Sequence, residues 1–196
     1  MYVPSHFLPR QEEHFSFIEN FSFGELISIV DGKIFSTHLP FLIDESSNSL
    51  LCHVAKANPQ WQQLDGQEVL AVFHGPHGYV SPSWYEKAGV PTWNYQAVHV
   101  NGQAKCFTEE AKLSQLVKAL SDAQEAEFEN PWKPDFDERM LGAIIGIEIS
   151  ISNVEAKHKL SQNRTGCEQK NIICQLRAQG NSILANVMDE VLKPTD

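Results

Sequence analysis

The sequence predicts an antiparallel β-barrel domain with a C-terminal helical tail, and three observations carry that reading. Short β-rich runs follow one another from residue 25 to about 155, separated by turn dipeptides such as Asp31-Gly32, Asp65-Gly66 and Asn101-Gly102. No alternating strand–helix–strand rhythm and no G-x-G-x-x-G run is present, which argues against a doubly wound parallel sheet. After Lys159 the apolar spacing changes from a period of two to a helical one.

The elements follow in order. Glu25–Val30 is a strand ending at the Asp31-Gly32 hairpin signal, and Lys33–Ile43 is the return strand. Pro40 cannot donate to a ladder, so this stretch belongs at a sheet edge or is bulged there. Ser49–Ala55 is the next strand, and Asn58-Pro59 opens a helical turn over Gln60–Leu64. Glu68–Phe73 is apolar on both faces, as a central strand is, with a turn expected at His74–Gly78 and a new run from Tyr79. Asn94–Val100 and Gln103–Phe107 are expected as two strands joined by an Asn101-Gly102 turn. A helix capped by Thr108 then presents Leu113, Leu116, Val117 and Leu120 on one face. Residues 121–138 form an acidic surface excursion, part of a wider insertion over 108–140. Ile145, Ile147, Ile149 and Ile151 alternate with small or polar residues, and Val154 breaks the phase, which suggests a bulge. Two helices are expected last, over Glu168–Gln179 and from Asn181-Ser182 onward. The implied division is a barrel over 1–156 and a helical tail over 157–196.

The 196 residues are 42 % hydrophobic and 20 % charged, as in an ordinary globular chain. No apolar run is long enough for a membrane-spanning helix, and the first residues lack the basic and apolar regions of a signal peptide. Cytoplasmic is the expected location. Cys52, Cys106, Cys167 and Cys174 contain no C-x-x-C pair, so reduced and mostly buried thiols are expected rather than a zinc or redox site. The net charge of −10 is concentrated before residue 140, whereas residues 140–196 carry six acids and six bases. Such a chain is poorly suited to polyanionic DNA. The local cluster Lys157-His158-Lys159 with Arg164 and Lys170 faces one acid, Glu168. It suits a phosphate or carboxylate ligand, or is simply a solvated surface run.

Polar and aromatic side chains interrupt the strand patterns in three places. These are Ser36-Thr-His-Leu-Pro40, the segment holding His53, Lys56 and Asn58, and Val90–His99 with Trp93, Asn94, Tyr95 and His99. Singly, each histidine is an ordinary core or surface residue and each aromatic an ordinary core residue. Jointly they supply an apolar wall, amide donors and a cation, the mixture that a planar, polar-edged phosphate ligand requires. His74 and His77 flank Gly75-Pro76 without a carboxylate at hand, so no metal site is expected. No nucleophile elbow or Walker loop is present.

The opening Met1–Phe7, Thr37–Pro40, His53–Trp61, Phe73–Tyr85, Val90–Tyr95 and Lys159–Arg164 resemble, in order, the motifs of the PaiB-like family of FMN-binding proteins. The resemblance implies a split β-barrel of the pyridoxamine-phosphate-oxidase type, a homodimer, and FMN at the subunit interface. Carried onto this chain, it implies that Thr37, His38 and Leu39 border the ring, and that His53, Lys56 and Asn58 serve the phosphate and ribityl end. Trp93, Asn94 and Tyr95 would wall the site, and Ser161, Gln162 and Arg164 would complete it, from the same subunit or the second.

Three functions follow as expectations. The first is a flavin protein with redox or redox-sensing chemistry, in which a flavin-dependent oxidoreductase activity and an indirect negative role in transcription are both open. The second is a direct DNA-binding repressor, whose only candidate helices carry the basic residues Lys170, Arg177 and Lys193. The third is a haem-binding or haem-degrading split barrel.

Overall fold

The computed structural model describes residues 1–135 and 137–192. Its seven strands are β1 (Phe23–Val30), β2 (Lys33–Pro40), β3 (Leu42–Asp44), β4 (Ser49–Ala55), β5 (Glu68–Val80), β6 (Thr92–Phe107) and β7 (Ile144–Lys159). The helices are α1 (Glu13–Asn20), α2 (Glu110–Glu125), α3 (Gly166–Ala178) and α4 (Ser182–Leu192). The sheet order is β2-β1-β5-β6-β7-β4-β3, and β1–β2, β1–β5, β3–β4 and β4–β7 all pair antiparallel.

The first hairpin forms as its turn residues dictate. Asp31 (φ 51°) and Gly32 (φ 72°) both take the left-handed conformation, the two-residue turn that matches strand twist. Pro40 closes the edge strand β2, opposite Phe23, where its missing N–H disrupts nothing. β3 begins two residues later as a separate strand.

Two expected turns are absent. His74–Gly78 and Asn101-Gly102 both lie inside continuous strands, β5 and β6. Neither Gly78 nor Gly102 has the positive φ that a tight turn requires. Each glycine instead admits a neighbour: a Cβ on Gly102 would lie 2.4 Å from the Ser150 carbonyl oxygen, and one on Gly78 would lie 2.8 Å from Asn181 Nδ2. β7 likewise runs through Val154 to Lys159, and its buried positions shift from the odd residues 145–149 to Ala156. α2 starts after Glu109, not at a Thr108 cap, and continues to Glu125 into the expected excursion. The unforeseen α1 buries Phe17 and Ile18.

The chain forms two compact units. Unit 2, Phe15–Phe73 with His99–Val154, has fully buried Leu26, Leu50, Phe73, Val100, Ile147 and Ile149 at its centre. Here β2 approaches β4, so the sheet curls back on itself. α2 places Leu113, Leu116 and Leu120 with Phe107 and Leu141 in a second apolar cluster, joined by Leu51 and Ile144. Unit 1, Met1–His14 with His74–Val98 and Glu155 onward, packs Ile172, Ile173 and Leu176 of α3 against Leu184, Ala185 and Met188 of α4, together with Val80, Trp84 and Leu160. All four cysteines are free, but only Cys52 is fully buried, and Cys167 and Cys174 are exposed. Both sit on the outward face of α3, where a thiol meets solvent rather than core.

Candidate functional site

In unit 2, the polar residues that precede and follow β4 are organised by one the sequence pattern did not single out. Gln60 is fully buried, and its Nε2 donates to the Leu26 carbonyl at 3.0 Å and to Ser28 Oγ at 2.9 Å. Its Oε1 accepts from Thr37 Oγ1 at 2.6 Å, which in turn accepts from Asn58 Nδ2 at 3.0 Å. Asn58 Oδ1 caps the following 3-10 turn by accepting from Gln60 N–H at 2.9 Å. Thr37 and Asn58 are thereby brought together across 21 residues of chain. A buried glutamine fully engaged in this way fixes the backbone of β1, β2 and the turn relative to one another.

The other residues of this group point to different surroundings. Leu39 is buried at 4 % exposure, so a ligand can meet only its backbone. His38 is exposed and lies 3.3 Å from Glu25 across the β1–β2 ladder. His53 faces opposite Gly146 of β7, and its Nδ1 is buried without a partner among the described residues. Burial holds its pKa below the ordinary histidine value, so the ring is neutral. Lys56 follows β4 and is exposed, with no carboxylate near its ammonium among the described residues.

In unit 1, Trp93, Asn94 and Tyr95 start β6 but face different ways. Trp93 is 53 % exposed, whereas Asn94 is fully buried. Asn94 Nδ2 donates to Ser161 Oγ at 2.9 Å and to Met188 Sδ at 3.3 Å, and Asn94 Oδ1 accepts from Ser161 Oγ at 3.0 Å. Asn94 and Ser161 therefore clasp each other. Ser161 itself is left-handed (φ 66°), and the turn it opens is closed by Arg164 N–H donating to the Ser161 carbonyl. Gln162 stays local, accepting from Leu160 N–H at 2.7 Å and donating to the His158 carbonyl. The Arg164 guanidinium stacks 3.8 Å over the Tyr85 ring and lies 4.0 Å from Glu168.

The basic cluster is a real spatial feature of this unit. Lys159 Nζ donates to Thr92 Oγ1 and to the Trp93 carbonyl, and Lys157 Nζ lies 5.6 Å from the Tyr95 ring. Burial, then repulsion from Lys157 and Arg164, lowers the Lys159 pKa. His74, Gly75 and His77 of β5 line an open cavity of about 550 Å³ with Trp93, Tyr95 and Gln96 of β6. Its size is that of a small-molecule site, roughly 300–1,000 Å³. Gln96 is a second polar residue with only a weak sequence signal, a glutamine amid Tyr95, Ala97 and Val98.

Arg177, one of three bases considered for DNA contact, is paired with Asp189 at 2.8 Å, and Lys193 lies outside the described residues. Among the described residues no helix is long and apolar enough to cross a membrane, and no cluster of His, Cys, Asp or Glu is arranged to hold a metal ion.

Comparison with known proteins places these features in context. Residues 1–153 match the family described as "Putative FMN-binding domain". Over 205 aligned residues the chain is 36 % identical to the protease synthase and sporulation protein PAI 2 of Bacillus subtilis, covering 98 % of this chain and 99 % of that protein. An uncharacterised protein of Saccharomyces cerevisiae is 26 % identical over 153 residues, covering 64 % of this chain and 90 % of its own. Among solved structures, the flavocytochrome Anf3 of Azotobacter vinelandii superposes with a TM-score of 0.62 at 18 % identity, over 80 % of this chain and 68 % of that one. The FAD- and haem-binding protein of Mycobacterium smegmatis gives 0.61 at 16 % identity, over 76 % and 71 %. Likeness at these identities concerns the fold.

Proposed function

Since the chain belongs to the FMN-binding split-barrel family that includes the Bacillus subtilis PAI 2 protein, we propose that it binds FMN through the residues its motifs place in 37–58, 93–95 and 161–164. The observation that carries this reading is the segment after β4. His53 Nδ1, a neutral imidazole nitrogen with no partner among the described residues, is followed three residues later by the Lys56 cation, which has no carboxylate partner among them. A phosphate supplies what both lack: acceptor oxygens and negative charge. The residues present therefore fit the group.

In this reading Lys56 and His53 bind the phosphate, while Thr37 and Asn58, both engaged by Gln60, hold the β2 backbone and the turn in place. The backbone at Thr37, His38 and Leu39 borders the ring, and Trp93 and Tyr95 give it an apolar wall. Asn94 acts through Ser161, fixing the turn from which Gln162 and Arg164 complete the site in a homodimer. The division into a flavin-binding domain over 1–156 and a tail over 157–196 belongs to the same proposal, as does a cytoplasmic location. When bound, the flavin supplies electron-transfer chemistry, and the protein sets its orientation and surroundings. A role in transcription rests on the name of the Bacillus relative. With Arg177 paired and the chain strongly acidic, an indirect route through a protein or metabolite is the better-supported one.

Titration with FMN tests the reading. The wild type should bind with a flavin absorbance change, and Lys56→Ala should weaken affinity by roughly tenfold or more, as should Arg164→Ala. A protein that binds no FMN, or two variants with wild-type affinity, would overturn it. A Soret band on adding haem would favour a haem-binding barrel instead.

A further inference from the structure

Lys56 follows the last residue of β4, Ala55, and enters the turn that leads to the 3-10 segment Pro59–Gln63. An exposed lysine in a turn is ordinarily mobile, and its ammonium then samples a wide volume. In unit 2 the backbone of Lys56 is instead pinned on both sides. Its N–H donates to the Ala143 carbonyl at 2.7 Å, which extends the β4–β7 ladder by one bond beyond the Ala55–Ile144 pair. Its carbonyl accepts from the Trp61 indole, Nε1–H, at 2.9 Å. The turn between them is closed by Asn58 N–H donating to the Ala55 carbonyl at 2.8 Å. Trp61 is half-buried and is itself held. Its carbonyl accepts from Leu64 N–H at 3.3 Å and from Cys106 Sγ at 3.6 Å, while Cys106 N–H donates to Asp65 Oδ1 at 2.7 Å. The end of β6 is thereby tied, through the indole, to the residue that carries the cation.

We propose that Trp61 is a positioning residue for phosphate recognition: its indole N–H fixes the Lys56 backbone and so limits where the ammonium can stand. The inference rests on the phosphate reading of Lys56 above. A lysine binds phosphate as a point charge on a flexible four-carbon stem, so the side chain itself sets no direction. Whatever order the cation has comes from its backbone, and the indole bond is one of the two that hold the flanking peptide groups. A turn ordered before the ligand arrives loses less freedom on binding, and that difference appears as affinity for the phosphate. Phenylalanine at position 61 keeps an aromatic ring and loses the bond. An imidazole gives up part of the packing and keeps the bond, because Nε2 occupies in its five-membered ring the place of the indole Nε1.

The test compares FMN with riboflavin, which lacks the phosphate, by flavin-fluorescence titration, and the readout is the ratio of the two affinities. A change in the folded population scales both affinities by the same factor and cancels in the ratio. The wild type should prefer FMN by roughly tenfold or more, and Lys56→Ala should reduce the preference to about twofold. Trp61→Phe should reduce it to roughly threefold, whereas Trp61→His should keep most of it. When Lys56→Ala and Trp61→Phe are combined, the second substitution should change the ratio no further, since Trp61 acts through Lys56. A wild-type ratio in Trp61→Phe overturns the proposal and leaves the flavin reading intact, as does a further loss in the double variant. If Trp61→Phe fails to fold, Trp61→His decides alone, and a collapsed ratio there overturns the proposal. Equal affinity of the wild type for the two flavins overturns the phosphate role of Lys56 and the proposal with it. Failure to bind either flavin overturns the flavin reading itself.

Discussion

Asn94 shows how a polar residue that stands out in the sequence can be spent wholly on the fold. Its side chain is fully buried, and both its polar atoms are spent on Ser161, with Met188 as a further acceptor. Asn94→Ala leaves the Ser161 hydroxyl, on a residue itself only 4 % exposed, without its partner. The expected cost is about 2 kcal/mol, read as a lower urea midpoint with an unchanged slope. An unchanged midpoint would mean that the clasp contributes nothing. The same logic makes Gln60 the most consequential polar residue of unit 2, since Leu26, Ser28, Thr37 and Asn58 all depend on it. Neither role was legible from the sequence. A buried amide and a solvated one have the same letter, and only packing reveals which carbonyls it meets.

At the scale of elements, the strand cores and the first hairpin were legible, whereas two of the turns were misjudged. The β1–β2 turn is local chemistry, because Asp31-Gly32 can adopt its two positive φ angles without help from the rest of the chain. Asn101-Gly102 carries an equally strong dipeptide signal, yet β6 runs straight through it. There the glycine is demanded by β7: an added Cβ would meet the Ser150 carbonyl at 2.4 Å, a backbone atom that cannot swing aside. Gly102→Ala should therefore destabilise by about 2 kcal/mol or more, whereas Gly32→Ala, which meets nothing within 4 Å, suffers only from its positive φ. Thermal melts of the two variants separate the causes. The start of α3 is held by a capping box, Thr165 with Glu168. Thr165→Ala should cost about 1 kcal/mol, and a melt unchanged within error would show the box to be idle.

For the molecule as a whole, pH is the informative variable. Burial, followed by the proximity of His14, pushes the His158 pKa down to about 4, against a favourable effect of Glu13, and burial lowers that of His14. Both rings bind protons more readily in the unfolded chain, whose histidines titrate near 6.5. Stability is thus full above about pH 6.5 and is lost as pH falls toward 4. Allowing for the part of the His158 ring that remains near solvent, the loss is on the order of 2 kcal/mol, roughly 4–8 °C in Tm. His158→Gln should flatten the profile between pH 6.5 and 4.5, and an unchanged profile would place the acid sensitivity elsewhere. The net charge acts on the same scale. Gel shifts at low salt should show no association with promoter DNA, and a salt-sensitive shift would reinstate direct binding.

The sequence by itself determined the β-rich class, the restriction of the Pro40 stretch to an edge or a bulge, the Asp31-Gly32 hairpin, the helical tail and, through its ordered motifs, the FMN-binding family. These features are local or are spelled out in contiguous residues, so no knowledge of distant neighbours is needed. Tertiary structure decided the continuous β5 and β6, the clasp of Asn94 with Ser161 across 67 residues, and the fully buried Gln60 that ties Thr37 to the β1 backbone. Each depends on which groups from remote segments come within hydrogen-bond or van der Waals distance. Burial then fixes the energetic weight of that contact, and burial is a property of the folded chain alone.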